Sequence, residues 1–310
     1  MSNPSATFTP SNTRGYVLIH CCVVLFGFTP IMGRLITLNA VPLVWWRMLL
    51  AALVLLLVPA TWRGIRQMPW RLIGICCLTG VVLAICWALF YLAIKLANAS
   101  VGAICLGTSP LFVAAAGPVL THRPYNRTDL LLAAAIIPGI ALVVGGVPRG
   151  MGLGFVIGLF SAAILTVFSG LNKYLSNRTH PLSSTCLEMA AGALFLALLM
   201  ALWPGVGDGF LIPDRHDLSL LIVFAVALTA LPIALMLVAL RDISVFAQQM
   251  AVNLEPVYAV ILAVPILGEQ QQLDLLFYLG VLVIVGAVMV EPLVQWLRRH
   301  PRGGHAVHLR

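Results

Sequence analysis

The sequence predicts an all-α polytopic membrane protein with ten transmembrane helices built as two inverted five-helix repeats, and three observations carry that prediction. First, 61% of the 310 residues are hydrophobic, 9% are charged, and the mean hydropathy is +1.03. A water-soluble globule carries about 25% charged residues, so this chain belongs in a bilayer. Second, its apolar residues gather into ten segments at nearly even spacing. Most are close to the roughly 20 residues that a helix rising about 1.5 Å per residue needs to cross a hydrocarbon core of about 30 Å. Third, the second half echoes the first after a shift of 139 to 146 residues, as a duplicated unit does.

Residues 1 to 15 are rich in Ser, Thr, Asn and Pro and are expected to be a disordered cytoplasmic N-terminus. They lack a charged n-region and a small-residue cleavage site, so the first apolar stretch is expected to stay as a spanning helix. The ten segments fall at about 16–36, 42–60, 70–94, 99–120, 129–147, 153–173, 182–203, 217–240, 244–267 and 273–293. Connections are short except Pro204–His216, a loop of Gly, Pro and Asp. The expected division is a first repeat over 16–147, a second over 148–293, and a basic cytoplasmic tail over 294–310. That tail holds Arg298, Arg299, Arg302 and Arg310 with three His, a composition that suits contact with anionic lipid better than a metal site.

Orientation follows from Lys and Arg. Thirteen lie at the N-terminus, the even-to-odd connections and the C-terminus, and four (Arg34, Lys95, Arg149 and Arg215) lie on the other side, with Arg47 inside segment 2. The excess places both termini in the cytoplasm. The net charge of +8 is strung along helix ends rather than clustered on one face, which argues against a nucleic-acid partner. Seven cysteines lie inside apolar segments without a Cys-x-x-Cys pair and read as small hydrophobes.

The repeat is legible residue by residue. A shift of 139 sets Arg34 on Lys173 and Pro42 on Pro181; 141 sets Arg47 on Glu188 and Trp62 on Trp203; 146 sets Lys95 on Arg241 and Pro110 on Pro256. Five spans per half is an odd number, so the second half must run upside down. Such repeats place a substrate site near the midplane and exchange conformations to give alternating access.

The richest stretch is Ser244–Glu269, where Gln248, Gln249, Asn253 and Glu255 precede Pro256 inside an apolar segment. Polar groups at that depth are costly in lipid and are expected to face a cavity or other helices. Its counterpart holds Thr108, Ser109 and Pro110. Prolines near mid-membrane free carbonyls and mark binding sites in transporters, although each alone could be a structural kink. Trp87, Tyr91 and Lys95 share one face of segment 3. Such a stripe suits a flat organic solute, or equally an interfacial anchor, and Tyr258, Trp45 and Trp46 carry the same two readings. Arg47 and Glu188 start from opposite membrane faces, so each is expected to find its own partner and to gate, pack or meet a charged substrate. Gly102, Gly107, Gly117, Gly139, Gly145, Gly152, Gly154 and Gly158 are expected to let helices pack closely. No phosphate-binding Gly-x-x-x-x-Gly-Lys-Ser occurs, so active transport would draw on a gradient, and no cofactor or metal is implied.

Leu254-Glu255-Pro256-Val257-Tyr258-Ala259, the ending Leu267-Gly268-Glu269, and Gly280 and Gly286 in the last segment resemble the drug/metabolite transporter (DMT) superfamily in its EamA branch. In the first half Ser109-Pro110 replaces Glu-Pro and His122-Arg123 replaces Gly-Glu, so a symmetric ion site is not expected. The resemblance implies export of small metabolites across a bacterial inner membrane, and within the branch the chain looks most similar to YddG-type exporters of aromatic amino acids. The expected function is therefore export of small amphipathic metabolites, amino acids first, through a cavity lined by segments 3, 4, 8 and 9. There Trp87, Tyr91 and Tyr258 would touch apolar surface, Gln248, Asn253 and Thr108 would supply hydrogen bonds, and Glu255 could carry a coupled proton. The alternatives are a multidrug, organic-cation or nucleotide-sugar transporter of the same fold and, last, an intramembrane transferase. The expected partners are a small-molecule substrate and the lipid bilayer, with the chain working as a monomer.

Overall fold

A computed structural model of the chain describes residues 10–121, 127–176, 178–203, 205–206, 210, 212–239, 242–243, 248 and 251–299, and no strand occurs among them. The expectations placed on the first nine residues, on His122, Arg123 and Gln249, and on the tail beyond 299 lie outside the described residues.

The predicted segments appear as helices, several of them broken where the sequence places proline. Segment 1 is α1 (Pro10–Gly27) and α2 (Thr29–Leu35), with Pro30 in the first turn of α2, where its missing N–H costs nothing. Segment 2 is α3 (Ala40–Leu56), followed at a bend of 91° by α4 (Pro59–Gln67). With Arg63, Arg66 and Gln67 on it, α4 is too polar to continue the span and suits the bilayer interface. Then come α5 (Trp70–Leu96), the broken pair α6 (Ala99–Gly107) and α7 (Ser109–Thr121), α8 (Arg127–Gly146), α9 (Gly152–Ser176) and α10 (Pro181–Leu202). Segment 8 is α11 (Arg215–Ala225) and α12 (Leu231–Ala239), joined by a π-helical turn over Val226–Ala230. The last two are α13 (Glu255–Leu267) and α14 (Leu275–Arg299).

Among the described residues, five stretches are long and apolar enough to cross a membrane by themselves, and the bent α3–α4 pair makes a sixth. The α6–α7 pair, α8, α13 and α14 occupy the remaining predicted segments. The helix restarts at Ser109-Pro110 in segment 4 and at Glu255-Pro256 in segment 9.

The connections sort onto two faces. On one, the Asn98 amide nitrogen donates to the Gln272 Oε1 at 3.4 Å, Asp274 N donates to the Gly146 carbonyl at 3.3 Å, Thr37 N donates to Asp217, and the Lys95 ammonium donates to the Ile36 carbonyl. On the other, Ser183 Oγ donates to the Thr61 carbonyl at 2.9 Å, and Gly15 lies against Asp242 and Ile243. Successive spans thus alternate in direction, and the two five-span halves are inverted.

Packing repeats that symmetry. Segments 2 and 7 (α3, α10), 4 and 9 (α6, α13), and 5 and 10 (α8, α14) pair across the halves, as units related by a two-fold axis in the membrane plane must. Other contacts come as exchanged couples: α1 with α12 and α9 with α5, α1 with α13 and α9 with α6, α11 with α3 and α10 with α5.

Close approach at the paired segments depends on glycine. A Cβ on Gly80 of α5 would stand 2.2 Å from the Glu188 carbonyl oxygen, and one on Gly280 would stand 2.7 Å from the Gly139 carbonyl oxygen. Small residues let backbones touch this way in a bilayer, where van der Waals contact rather than apolar transfer holds helices together. Gly154 and Gly158 also pack tightly, whereas Gly152 and Gly286 meet nothing within 4 Å. Five of the seven cysteines are buried, as small hydrophobes are.

Candidate functional site

The two broken segments cross at their breaks. Gly107 ends α6 and lies against the Pro256 ring, with a Cβ there placed 3.1 Å from Pro256 Cγ. Glu255 opens α13 directly beside that contact, where the exposed N–H groups and the dipole of the helix favour a negative charge.

Arg47 of α3 reaches the same region and is 5% exposed. Its guanidinium lies between two rings, with Cζ 3.7 Å from the Trp87 centroid and 4.2 Å from that of Phe224. Nη1 donates to the Tyr91 hydroxyl at 2.9 Å, Nε donates to Thr229 Oγ1 at 3.3 Å, and the Tyr91 hydroxyl donates onward to the Thr29 carbonyl at 3.4 Å. Glu255 is near enough to Arg47 and Tyr91 to interact with both electrostatically. Five spans therefore meet at one charge, which a lone guanidinium in a bilayer core requires if its burial is to be offset.

Thr229 reaches Arg47 because of the π turn that carries it. Pro232, on the second position of α12, cannot donate to a carbonyl one turn back, and its ring pushes that turn open. Thr229 Oγ1 donates to the Phe224 carbonyl at 3.0 Å, which holds both residues against Arg47. Gly33 makes room for the Tyr91 ring, since a Cβ there would lie 2.6 Å from Tyr91 Cδ1. Gly33→Ala is accordingly expected to push Tyr91 off Arg47 and to raise the KM for transported solute about tenfold, read from initial rates in liposomes.

Of the residues singled out from sequence, the structure brings Arg47, Trp87, Tyr91 and Glu255 together, with Pro256 at the crossing. Ser109 and Pro110 are half-buried at the start of α7. Thr108 Oγ1 is committed to the Cys105 carbonyl at 2.6 Å, closing the break between α6 and α7. Tyr258 turns the other way, its hydroxyl 3.3 Å from His20 Nδ1 of α1. Gln248 is half-buried with its Oε1 unpartnered among the described residues, and Asn253 is half-buried beside α13. Lys95 lies at the membrane face against Ile36, outside the cluster. Glu188 is buried against α5, with no partner for Oε1 among the described residues. Trp45 stacks edge-to-face on Trp46 and on Phe210 of the long loop, away from Arg47.

Sequence reading did not find Phe224, Thr229 or His20. Only Pro232 could have signalled the first two, by marking a disturbed helix. Asp214, His216 and Asp217 place ligand atoms within 4.8 Å of one another, but the Asp217 oxygens accept from Thr37 and Leu38 instead.

A buried cation walled by aromatic rings lies beside the crossing of two broken helices in an inverted repeat, the arrangement in which carriers place their sites. The model of the EamA-like transporter family matches this chain twice, over residues 13–145 and 150–290, and the chain belongs to that family. It is a multi-pass membrane transporter of the DMT type. Fifteen chains of solved structures match its fold. One, titled only "Crystal structure of protein", is 15% identical with a TM-score of 0.62 and covers 94% of this chain and 99% of its own. No curated protein sequence matches the chain.

Proposed function

We propose that this transporter exports small amphipathic metabolites, with aromatic and neutral amino acids the favoured class, across a bacterial inner membrane by alternating access, with both termini cytoplasmic. The observation that supports this reading is Arg47 in its aromatic slot with Glu255 beside it. The bonds to Tyr91 and Thr229 use Nη1 and Nε, and a guanidinium has five donors in a planar fork that matches a carboxylate. An amino-acid zwitterion brings a carboxylate for Arg47 and an ammonium for Glu255, so each charge gains an opposite partner when it enters. Trp87 and Phe224 give the apolar wall that a neutral or aromatic side chain needs. A buried guanidinium disfavours an organic cation at the same place, which ranks that cargo lower.

Purified protein in liposomes, loaded in parallel with labelled phenylalanine, leucine, a flat organic cation and a nucleotide sugar, tests the assignment. Efflux of the amino acids above protein-free liposomes is expected; movement of the cation or nucleotide sugar alone would replace the reading with the corresponding alternative.

Glu255 is the group we assign to proton coupling, because it shares its site with the cargo. An imposed pH gradient is expected to change the amino-acid efflux rate severalfold, and Glu255→Gln to abolish that dependence while leaving downhill exchange. Efflux indifferent to the gradient in both proteins would remove the coupling role.

A further inference from the structure

Two carboxylates tie the halves together on the face that carries the 36–38, 95–100, 214–217 and 268–272 connections. Asp217, at the start of α11, takes four bonds from the first half. Thr37 N donates to Oδ1 at 3.0 Å and to Oδ2 at 2.9 Å, Thr37 Oγ1 donates to Oδ2 at 2.7 Å, and Leu38 N donates to Oδ2 at 3.1 Å. Glu269, just past the end of α13, takes two: Ala99 N at 2.7 Å on Oε1 and Ser100 N at 2.9 Å on Oε2. Both side chains are 1% exposed. Each is itself held in place. Asp214 Oδ1 accepts from Asp217 N at 2.7 Å, and Gly268, at φ 68°, turns the chain so that Glu269 faces α6.

The acceptor in each case is on the second half and the donors are on the first, so these bonds must break if the halves separate on this face. Among the described residues, the bond between the halves on the opposite face runs to a backbone carbonyl instead of a carboxylate, from Ser183 Oγ to Thr61 at 2.9 Å. The shift of 146 residues that superposes Pro110 on Pro256 sets Glu269 on Arg123 and Asp217 on Arg71, cations where the second half has carboxylates. Bonds from N–H groups to a desolvated carboxylate are among the stronger ones a protein makes, and here they stabilise one conformation of an otherwise symmetric pair.

We infer that Asp217 and Glu269 are the gating residues of the transport cycle, bolts that hold the Thr37 face shut and set the resting conformation as open towards the Thr61 face. This rests on alternating access, as proposed above, but not on any particular cargo. With the Thr37 face outside, as the Lys and Arg distribution expects, the resting carrier loads from the cytoplasm, which suits export.

The test is accessibility at a single reporter, Thr29→Cys. Its residue is 6% exposed and lies two helical turns below Thr37, in the layer of Tyr91. In oriented vesicles, a membrane-impermeant maleimide is added from either face and labelling at position 29 is read by peptide-resolved mass spectrometry, so the native cysteines stay. With the bolts intact, labelling is expected from the Thr61 face only. Asp217→Asn or Glu269→Gln is expected to raise labelling from the Thr37 face about tenfold and to lower it from the Thr61 face, and the double substitution to shift it further. Thr37→Val, which deletes one hydroxyl donor and leaves the backbone, should shift it less in the same direction, and it serves where the carboxylate variants fail to reach the membrane. Labelling unchanged, or raised equally from both faces, overturns the inference. No substrate enters this assay, so its outcome is independent of whether amino acids are the cargo.

Discussion

Arg47→Gln is expected to cut amino-acid transport about a hundredfold in liposomes, with the protein still folded and inserted. Glutamine keeps a donor and much of the volume but removes the charge from the slot between Trp87 and Phe224. Glu255 then faces no cation, and the Tyr91 hydroxyl and Thr229 Oγ1 lose their donors. Losing a charged partner from a buried polar cluster costs roughly 2–5 kcal/mol, and a factor of ten is about 1.4 kcal/mol, so the loss spans about thirtyfold to a few thousandfold. Arg47→Lys separates charge from geometry. An ammonium retains the attraction but not the planar fork, so it is expected to transport with a KM raised about tenfold and a near-normal maximal rate. Initial rates against concentration for the two variants check both statements. Full activity in Arg47→Gln would show that the cargo does not bind at this cluster.

Gly80→Val is expected to be the most damaging single change to the fold. Its new Cβ would meet the Glu188 carbonyl oxygen at 2.2 Å and the Glu188 Cα at 2.7 Å, both backbone, and Gly192, one turn further along α10, also closes on the Gly80 carbonyl. Nothing there can swing away, so α5 and α10 must separate, and those helices form much of the contact between the halves. Overpacking of a fitted site costs about 1–3 kcal/mol, occasionally more. We expect the upper end, seen as a clearly lower melting temperature in detergent and reduced yield. Gly74 is the internal control. It lies on the same helix with nothing within 4 Å, so Gly74→Ala should be neutral or stabilising by up to about 1 kcal/mol from helix propensity. Equal loss in both would mean that helix propensity, not the α5–α10 contact, governs this region.

The sequence by itself determined the chain's solvent, its number of spans and its duplication. Those depend on composition and period: ten apolar runs can only be helices in lipid, because no other open backbone satisfies its own polar groups there, and an odd number of spans per unit forces the inversion. It also marked Pro110 and Pro256, since a missing N–H disturbs a helix whatever surrounds it.

Only the tertiary structure decided which polar residues share a place. Arg47, Trp87, Tyr91, Phe224 and Thr229 come from segments 2, 3 and 8, and local spacing carries no information about meetings across 40 to 180 positions. The same limit applies to charge. Lys95 shares a helix face with Trp87 and Tyr91 yet ends at the membrane face on the Ile36 carbonyl, because one more turn of α5 carries it out of the central layer. Asp217, the first residue of predicted segment 8, and Glu269, part of a motif, become buried acceptors for N–H groups about 170 to 180 residues away, since a helix start left without its own partners needs an acceptor from whichever segment folding brings beside it.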